Sequence, residues 1–358
     1  MWFFSMVRVK LAVFLMTFVV LSCSPKDRYV VFSGYAQGGT YTVKFNMNGR
    51  NGLIVEKPQE IKDSVDAILS AIDASLSGYN KNSILSRFNA GEVVVPDSYF
   101  IDIYRSAYDL YNQTGAAVDA ASAQLFDVWG FGFKNGELPG ADKIKEVMSG
   151  CGMNRLLSDI SDTLDEDGTL SPDAILVEKG GRLPQLNYNA IAQGYSCDKV
   201  ARYLYSLGIK DMMVDIGEIF CDGVNPNGNP WGIGIDKPVD GNNDPGAQLQ
   251  AVFKVPAGPH GVVTSGNYRK FYVRDGKKYA HTIDPRNGYP VSHNLLSATI
   301  VAPDAMTADA YATYCMVIGF EESISFIESN PDIEGCLVYD SNGEFKTWTS
   351  AGMTLSEL

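Results

Sequence analysis

Apolar residues recur at helical spacing along several stretches of the chain. In residues 59–77 an apolar stripe runs from Ile61 to Leu76, mostly at intervals of three or four residues, which is the period of an amphipathic helix. Similar patterns predict helices at 98–114, near 142–151, in the second part of 187–209, and at 307–318.

Strand patterns alternate with these helices. Residues 29–45 alternate around a glycine cluster and predict two strands joined by a turn, whereas residues 295–302 form a short apolar run typical of a buried strand. Further strands are predicted as hairpins within 152–185, one strand at 212–223, a continuation of its sheet at 231–238, and a strand, turn and hairpin at 261–281.

The order of these elements predicts the fold class. Helices are mixed with hairpins, and the chain contains neither a G-x-G-x-x-G nor a P-loop sequence, so no dinucleotide or P-loop fold is indicated. We therefore expect a mixed α/β (α+β) fold with mostly antiparallel sheets and flanking helices.

Length and charge narrow the functions that the chain can perform. Its 358 residues are 45% hydrophobic, enough for one large domain or two smaller ones. A formal net charge of −13 argues against a nucleic-acid binder, because such binding depends on Lys and Arg neutralising phosphates. A phosphorylated ligand would need a local site, with a metal ion as its natural counter-charge.

The N-terminus predicts export and lipid anchoring. Arg8 and Lys10 precede an apolar run at residues 11–21, which is too short for a comfortable membrane span but suits a signal peptide. The run ends at Ser22-Cys23, as in a bacterial lipobox. We predict a signal peptide over 1–22, a tether over 23–29 and one domain over 30–358. Lipidated Cys23 would anchor the protein to a bacterial membrane, with the domain facing the periplasm or outer surface. The alternative is an ordinary secretory signal in which Cys23 is incidental.

Residues 281–313 concentrate the candidate chemistry. His281 precedes a turn at 284–288, and a helix is predicted to begin with Thr307 as its N-cap and to stop at Gly319. On that helix Asp309 and Thr313 lie four residues apart and share one face. Both provide oxygen atoms, which Mg²⁺ prefers. Alternatively, Asp309 only complements the helix dipole and Thr313 lies at the surface.

Other segments offer weaker signals. Small residues surround Asp119, so that backbone or ligand can approach it closely. The turn predicted at 264–266 suits an N–H nest for phosphate.

Among the other histidines, His293 is expected to be structural and His260 to lie in an exposed loop. The aromatic cluster is either a platform for a planar ring or part of the core: Phe126, Trp129, Phe131 and Phe133.

The cysteines do not indicate a metal site. Five follow Cys23, an odd number without C-x-x-C spacing, so neither zinc nor a full disulfide framework is predicted. A single disulfide stays open.

Together, these segments resemble the ApbE family of exported FAD:protein FMN transferases. The resemblance runs through nearly all of the mature chain, in the family's order, and is carried by GYAQGGTY, SGYNKNSILSRFN, GAAVDAASAQLFDVWGFG, NAIAQGYSCDKVA, VDIGE, WGIGIDKP, VTSGNYRKFY, HTIDPRNGYPV and MTADAYAT. It implies a fold related to the T-fold, with FAD in a cleft and Mg²⁺ beside its pyrophosphate.

The resemblance also implies a set of site residues. The metal ligands fall on the carbonyl of Ala190 and the side chains of Asp309 and Thr313. The sequence departs from the family pattern at three of the flavin-contacting positions, because Gln37, Asn187 and Gln193 stand where the family has Met, Asp and Lys. The implied flavin contacts are Gln37, Tyr79, Ala117, Val118, Asp119, Asn187, Gln193 and Ile283.

The implied reaction is transfer of FMN from FAD to a Thr or Ser hydroxyl of an acceptor flavoprotein, with release of AMP. The resemblance implies that the acceptors are flavin-carrying subunits of membrane redox complexes or related exported reductases. Asp309 would act through the metal, and His281 is the candidate base or hydroxyl-orienting residue; alternatively, His281 closes the turn by a hydrogen bond. Two rival functions are an FAD pyrophosphatase giving FMN and AMP, and a non-enzymatic periplasmic flavin-binding lipoprotein.

The predicted anchor can be tested by replacing its cysteine. Two or more hydrophobic chains on Cys23 would hold the protein at a membrane, whereas an unlipidated product should be soluble. We expect Cys23→Ala to move the protein from the membrane fraction to the soluble fraction after cell breakage. A variant that stays wholly with the membranes would contradict lipidation at Cys23.

Overall fold

The computed structural model describes residues 28–50, 52–131, 138–239, 242, 246–268, 271–274 and 277–356. The predicted signal peptide and most of the predicted tether, with Cys23, lie outside the described residues, as does Phe133. Among the described residues, no helix combines the length and the apolar character that crossing a membrane requires.

Helices flank the sheets on several sides. Short 3₁₀ turns lie at Met153–Arg155, Ser161–Thr163 and Pro172–Ile175. The α-helices of the described residues are α1 (Pro58–Leu76), α2 (Ile84–Asn89), α3 (Ser98–Gln113), α4 (Ala123–Val128), α5 (Ala141–Met148), α6 (Ala192–Ser206), α7 (Ala305–Ile318) and α8 (Phe320–Ser329).

The strands vary from two to eight residues in length. In chain order they are β1 (Tyr29–Ala36), β2 (Gly39–Asn46), β3 (Asn48–Gly49), β4 (Gly52–Leu53), β5 (Met212–Asp215), β6 (Ile219–Asp222), β7 (Gly232–Asp236), β8 (Leu249–Lys254), β9 (His260–Gly266), β10 (Phe271–Arg274), β11 (Lys277–Ala280), β12 (Ile283–Asp284), β13 (Tyr289–Pro290), β14 (Leu295–Ala302), β15 (Glu334–Ser341), β16 (Glu344–Thr349) and β17 (Leu355–Ser356).

An eight-stranded sheet organises the fold. Its order is β1-β2-β5-β6-β9-β14-β15-β16, and every neighbouring pair is antiparallel. The mixed fold class with antiparallel sheets is therefore confirmed. A separate three-stranded sheet, β17-β8-β7, shares a buried cluster with the main sheet through residues such as Trp231, Phe253 and Val301.

The central strand β14 is covered on both faces. Ile300 packs with α7 and α8 on one side, whereas Val301 packs with the small sheet on the other. Two covered faces explain why the strand is a continuous apolar run. Helix α7 thus lies on the face of β9 and β14, which positions the residues that it carries.

The two other large core clusters support the site from one side. One joins α1 and α6 to β2 and β5 through side chains such as Val65, Leu204 and Val214. The other packs α2 and α3 against the segments that precede α6, with Phe100 and Tyr188 fully buried.

The five cysteines of the described residues carry free thiols.

Several predicted elements are confirmed, and the start of α7 is corrected. Strand β14 spans the predicted residues, and α7 ends at Gly319, whose φ of 89° only glycine adopts readily. Thr307 is not the N-cap. The Asp304 side chain accepts the N–H of Thr307 at 2.8 Å, so Asp304 caps the helix.

Four further predictions are wrong. The hairpins expected within 152–185 are replaced by 3₁₀ turns, and residues 212–223 form a hairpin because Gly217, with a φ of 91°, reverses the chain. Residues 231–238 join the small sheet instead of continuing the main one. His260 begins β9 and pairs with Cys221, so it does not lie in an exposed loop.

The turn predicted at 264–266 is also wrong, because these residues end strand β9. Thr264 pairs with Thr299 of β14, and their hydroxyls lie 2.8 Å apart. Cross-strand pairing between β-branched residues has overridden the turn preference of Ser-Gly. A phosphate nest formed by a turn is therefore absent from this segment.

Gly261 offers a test of how tightly α7 packs on the sheet. A Cβ at Gly261 would lie 2.4 Å from both the Ala305 Cα and the Asp304 carbonyl oxygen. We expect Gly261→Ala to lower the free energy of unfolding by about 1–3 kcal/mol, the usual cost of overpacking, measured by urea denaturation.

Gly39→Ala is the matched control, because a Cβ at Gly39 meets nothing within 4 Å. Its effect should stay within about 0.5 kcal/mol, as for other unconstrained surface changes. Equal effects of the two substitutions would contradict tight backbone packing at Gly261.

Candidate functional site

A cavity of about 300 Å³ lies where α7, the end of β9 and three loops meet. Its walls come from the C-terminal part of α3, residues 117–122, residues 187–193, residues 281–285 and the face of α7 that carries Asp309 and Thr313. Helix α6 begins at the edge of the cavity. The cavity is thus assembled from segments far apart in the sequence.

Most of the predicted site residues line this one cavity. The main exceptions have other surroundings: Gln37 donates a side-chain hydrogen bond to Ser196 Oγ on α6, and Tyr79 follows α1 with 70% of its surface exposed. Neither is among the residues that line the cavity. Those that line it are Ala117, Val118, Asp119, Asn187, Ala190, Gln193, His281, Ile283, Asp309 and Thr313.

Asp309 is the buried carboxyl of the site. It is 4% exposed, and its Oδ2 accepts the backbone N–H of Gly194 at 3.2 Å. Burial raises the pKa of Asp309 well above its ordinary value, because the charged form loses its hydration. A cation in the cavity would offset that loss and favour the carboxylate.

Other oxygen donors that could hold such a cation line the same cavity as Asp309. Thr313 lies one turn further along α7, with its hydroxyl 3.4 Å from Ser265 Oγ, and Ala190 precedes α6. Within the described residues, no three His, Cys, Asp or Glu side chains group into a metal site. One carboxylate, one hydroxyl and one carbonyl fit a hard cation that keeps some of its waters, as Mg²⁺ does.

The charge of the cavity walls supports this fit. The carboxyl residues Asp119, Glu218 and Asp309 line it, and none of the described lining residues is Lys or Arg. An anionic ligand such as a pyrophosphate would face uncompensated negative charge. The described lining offers no side-chain cation to pair with such an anion, so a bound cation would favour its binding.

Asp119, which also lines the cavity, is held by backbone donors. Its Oδ1 accepts the N–H groups of Ala121 at 2.9 Å and Met153 at 3.2 Å. Burial outweighs these bonds and raises the pKa of Asp119 to about 6. The preceding residues, Gly115 and Ala116, both adopt left-handed φ angles, which turn the chain into the cavity after α3.

Two amides and a carboxyl shape the rim near α6. Asn187 Oδ1 accepts the N–H of Asn189 at 2.8 Å, and the Gln193 amide donates to the Ile216 carbonyl at 3.0 Å. Gln193 thereby ties α6 to the β5–β6 turn. Glu218 of the same turn lines the cavity. The sequence analysis did not single out Glu218. The available signal was an acidic residue directly after Gly217, a glycine within the strand predicted at 212–223.

His281 lies in the wall formed by residues 281–285, next to a rigid turn. Asp284 closes that turn: it accepts the N–H of Gly288 through its carbonyl at 2.8 Å and pairs with the Arg286 guanidinium at 2.9 Å. Trp129 donates its ring N–H to the Gly288 carbonyl at 2.7 Å. The turn is therefore fixed to α4 as well as internally.

The predicted aromatic cluster was interpreted either as a platform for a planar ring or as part of the core, and its members differ in this respect. Trp129 is buried and packs against Tyr279 and Tyr289, and Phe131 joins the same cluster, so both belong to the core. Phe126 also lines the cavity. His293 has the predicted structural role, because its Nε2 hydrogen-bonds the Met316 carbonyl at 2.9 Å near the end of α7.

Comparisons with known proteins agree on one family. The model described as the ApbE family matches residues 38–337. A Haemophilus influenzae protein named FAD:protein FMN transferase is 32% identical, over 96% of both chains. An Escherichia coli K12 protein of the same name is 33% identical, over 84% of this chain and 82% of its own.

Solved structures give the same result. The flavin transferase ApbE from Vibrio cholerae superposes with a TM-score of 0.73 at 30% identity, over 91% of this chain and 98% of its own. The flavinyl transferase ApbE from Pseudomonas stutzeri, in its apo form, superposes with a TM-score of 0.74 at 29% identity, over 91% of this chain and 95% of its own.

The raised pKa of Asp119 predicts a pH-dependent stability. Between about pH 4 and pH 6 the folded state holds the Asp119 proton while the unfolded state has released it, so stability falls as pH rises through this window. In Asp119→Asn the Oδ1 atom can still accept both N–H groups. Relative to this variant, the free energy of unfolding of the wild type should fall by up to about 3 kcal/mol between pH 4 and pH 7.

Urea denaturation of both proteins at several pH values measures this difference, and groups that titrate identically in the two proteins cancel. A difference in stability that does not change with pH would show that burial leaves Asp119 unperturbed.

Proposed function

The chain belongs to the ApbE family, and from this we propose that it transfers FMN from FAD to a hydroxyl of an acceptor protein. The observation that carries the proposal is the cavity itself: the buried carboxyl of Asp309, the 117–119 segment and His281 share one space. The relatives that match nearly the whole chain are named FAD:protein FMN transferases.

We assign Mg²⁺ to the Asp309 end of the cavity, with the Asp309 carboxylate, the Thr313 hydroxyl and the Ala190 carbonyl as its protein ligands. When bound there, the ion would neutralise charge on the pyrophosphate of FAD and on the phosphorus that is transferred. The proposal is supported by the all-oxygen donor set and by the absence of Lys and Arg among the described lining residues.

The flavin half of FAD is assigned to the wall formed by residues 117–120 and Phe126. Ala117, Val118 and Ala120 have small or branched apolar side chains there, which admit a planar ring, and Phe126 contributes an aromatic face. Asn187, Gln193 and Ile283 complete the walls. Gln37 and Tyr79, which the structure places outside the cavity lining, would contact flavin only after the hairpin of β1 and β2 or the α1–α2 loop approached it.

The proposed reaction is a phosphoryl transfer that moves FMN from AMP to the acceptor hydroxyl. The bond between the FMN phosphorus and the bridging oxygen of AMP breaks, and a bond forms from that phosphorus to a Thr or Ser oxygen of the acceptor. AMP leaves with the bridging oxygen. The acceptor hydroxyl must lose its proton, and His281, which lies in the wall of the cavity, is our candidate to accept or orient it.

The acceptor and location follow from the same proposal. We assign the protein to a bacterial membrane, facing the periplasm or outer surface and held by lipid on Cys23, where it would modify flavin-carrying subunits of membrane redox complexes. The rigid turn at residues 284–288, fixed by Asp284 and Trp129, would form one side of the groove that receives an acceptor loop.

The decisive experiment is incubation with FAD, Mg²⁺ and a flavin-carrying subunit, followed by intact mass of the subunit and chromatography of the nucleotides. We expect the subunit to gain the mass of FMN and AMP to appear with it, while FAD alone is cleaved slowly. His281→Ala should reduce transfer by about 10²–10⁴-fold, the usual contribution of a general base, while FAD affinity changes little.

His293→Ala is the control for loss of a histidine, because His293 supports the end of α7 and does not line the cavity. Rapid cleavage of FAD with no mass gain on any subunit would leave the pyrophosphatase as the function. FAD binding with no turnover would leave the flavin-binding lipoprotein.

A further inference from the structure

Helices α6 and α7 satisfy each other's first N–H groups. The Asp198 carboxylate, in the second turn of α6, accepts the N–H of Ala305 through Oδ1 and that of Met306 through Oδ2, both at 2.9 Å. These are the first two residues of α7. In the reverse direction, Asp309 of α7 accepts the N–H of Gly194, the third residue of α6.

The two helices also touch through their backbones. A Cβ at Gly194 would lie 2.3 Å from the Ala305 carbonyl oxygen and 2.7 Å from the Met306 Cα. No side chain therefore separates the helices at this point. Backbone contact limits their approach, and the Asp198 carboxylate, which bonds two N–H groups at once, limits their separation and sliding.

This junction would fix the geometry of the proposed cation site, whose donors are divided between α7 and the loop that enters α6. The Ala190 carbonyl belongs to the loop that enters α6, whereas Asp309 and Thr313 belong to α7. Mg²⁺ tolerates little deviation from oxygen distances of about 2.0–2.1 Å. A small shift of α7 along α6 would move two donors relative to the third.

We propose that Asp198 is a positioning residue for the cation site, holding Asp309 and Thr313 in register with Ala190 by fixing the start of α7 against α6. The inference rests on the proposed function, because that function assigns the cation to these three donors. Asp198 does not line the cavity and would not contact the ion. It would act only through the placement of α7.

Asp304 provides a matched control on the same helix. Its carboxylate also binds near the start of α7, accepting the Thr307 N–H at 2.8 Å and the Thr307 hydroxyl at 2.9 Å. These bonds stay within α7 and its cap. Removing Asp304 should therefore weaken the helix end without releasing it from α6.

The test measures binding of Mn²⁺, a spectroscopic substitute for Mg²⁺, by electron paramagnetic resonance of the free ion in the presence of the full-length protein and FAD. Measurements at pH 8 keep Asp198 ionised, since burial raises its pKa to about 7. We expect Asp198→Ala to weaken Mn²⁺ binding about 10–100-fold, as loss of residues that orient metal ligands does. Asp304→Ala should stay within about twofold of the wild type, since its bonds do not orient the ligands.

Asp198→Asn separates positioning from folding. It keeps one oxygen that can accept an N–H group and should bind Mn²⁺ with an affinity between those of the wild type and Asp198→Ala. It also serves as the test variant if Asp198→Ala does not fold. Melting temperatures of all variants are recorded alongside, because a merely structural role would lower stability without changing affinity for the ion in the folded protein.

The outcomes distinguish failure of this inference from failure of the proposed function. Wild-type protein that binds no Mn²⁺, or Asp309→Ala that binds it equally well, would overturn the proposed cation site and the inference with it. If Asp309→Ala abolishes binding but folded Asp198 variants bind like the wild type, only the inference is overturned. Equal losses in Asp198→Ala and Asp304→Ala would likewise overturn it, because both would then act as simple caps.

Discussion

The position of α7 depends on contact between backbones. At its first residue, Ala305, the helix touches strand β9 at Gly261 and helix α6 at Gly194, and neither position has room for a Cβ. Side chains adjust by changing rotamer, whereas touching backbones do not. Backbone contact therefore restricts the position of α7 more tightly than packing of flexible apolar side chains would. The positions of the residues that α7 presents to the cavity are restricted with it.

Electrostatics imposes a second constraint on the site. Burial raises the pKa values of Asp119 and Asp309, which means that the fold keeps carboxyl groups where their charge is disfavoured. Such groups reduce stability unless a ligand compensates for them. A cation and the anion that accompanies it would supply this compensation together, so that neither is expected to bind as well alone. The occupied site would consequently stabilise the protein by linkage.

Sequence reasoning succeeded where local patterns decide the structure. The apolar run of β14 and the glycine that ends α7 are determined by burial and by φ, and the spacing of Asp309 and Thr313 follows from the helical period. It failed where distant partners decide. The strand identity of Thr264 depends on Thr299, and the separate sheet of β7 depends on β8 and β17. Convergence of residues 117–119, 187–193 and 281–285 on one cavity was expected from the family resemblance and not from local patterns, whereas Glu218 among them is visible only in three dimensions.

The order of the main sheet has a consequence for how the chain folds. Strand β2 follows β1 through a tight turn but pairs on its other edge with β5, so that Phe45 lies opposite Met212. The first hairpin can form early, and α1, which follows it in the chain, can cover part of its apolar face around Tyr41 and Val43. That cover is complete only when the residues of α6 and β5 arrive. Closing such a long loop is entropically costly, and topologies of this kind fold slowly. Part of the hairpin's apolar face would thus stay open while the intervening chain is being synthesised, which makes it a point of contact for a holding chaperone.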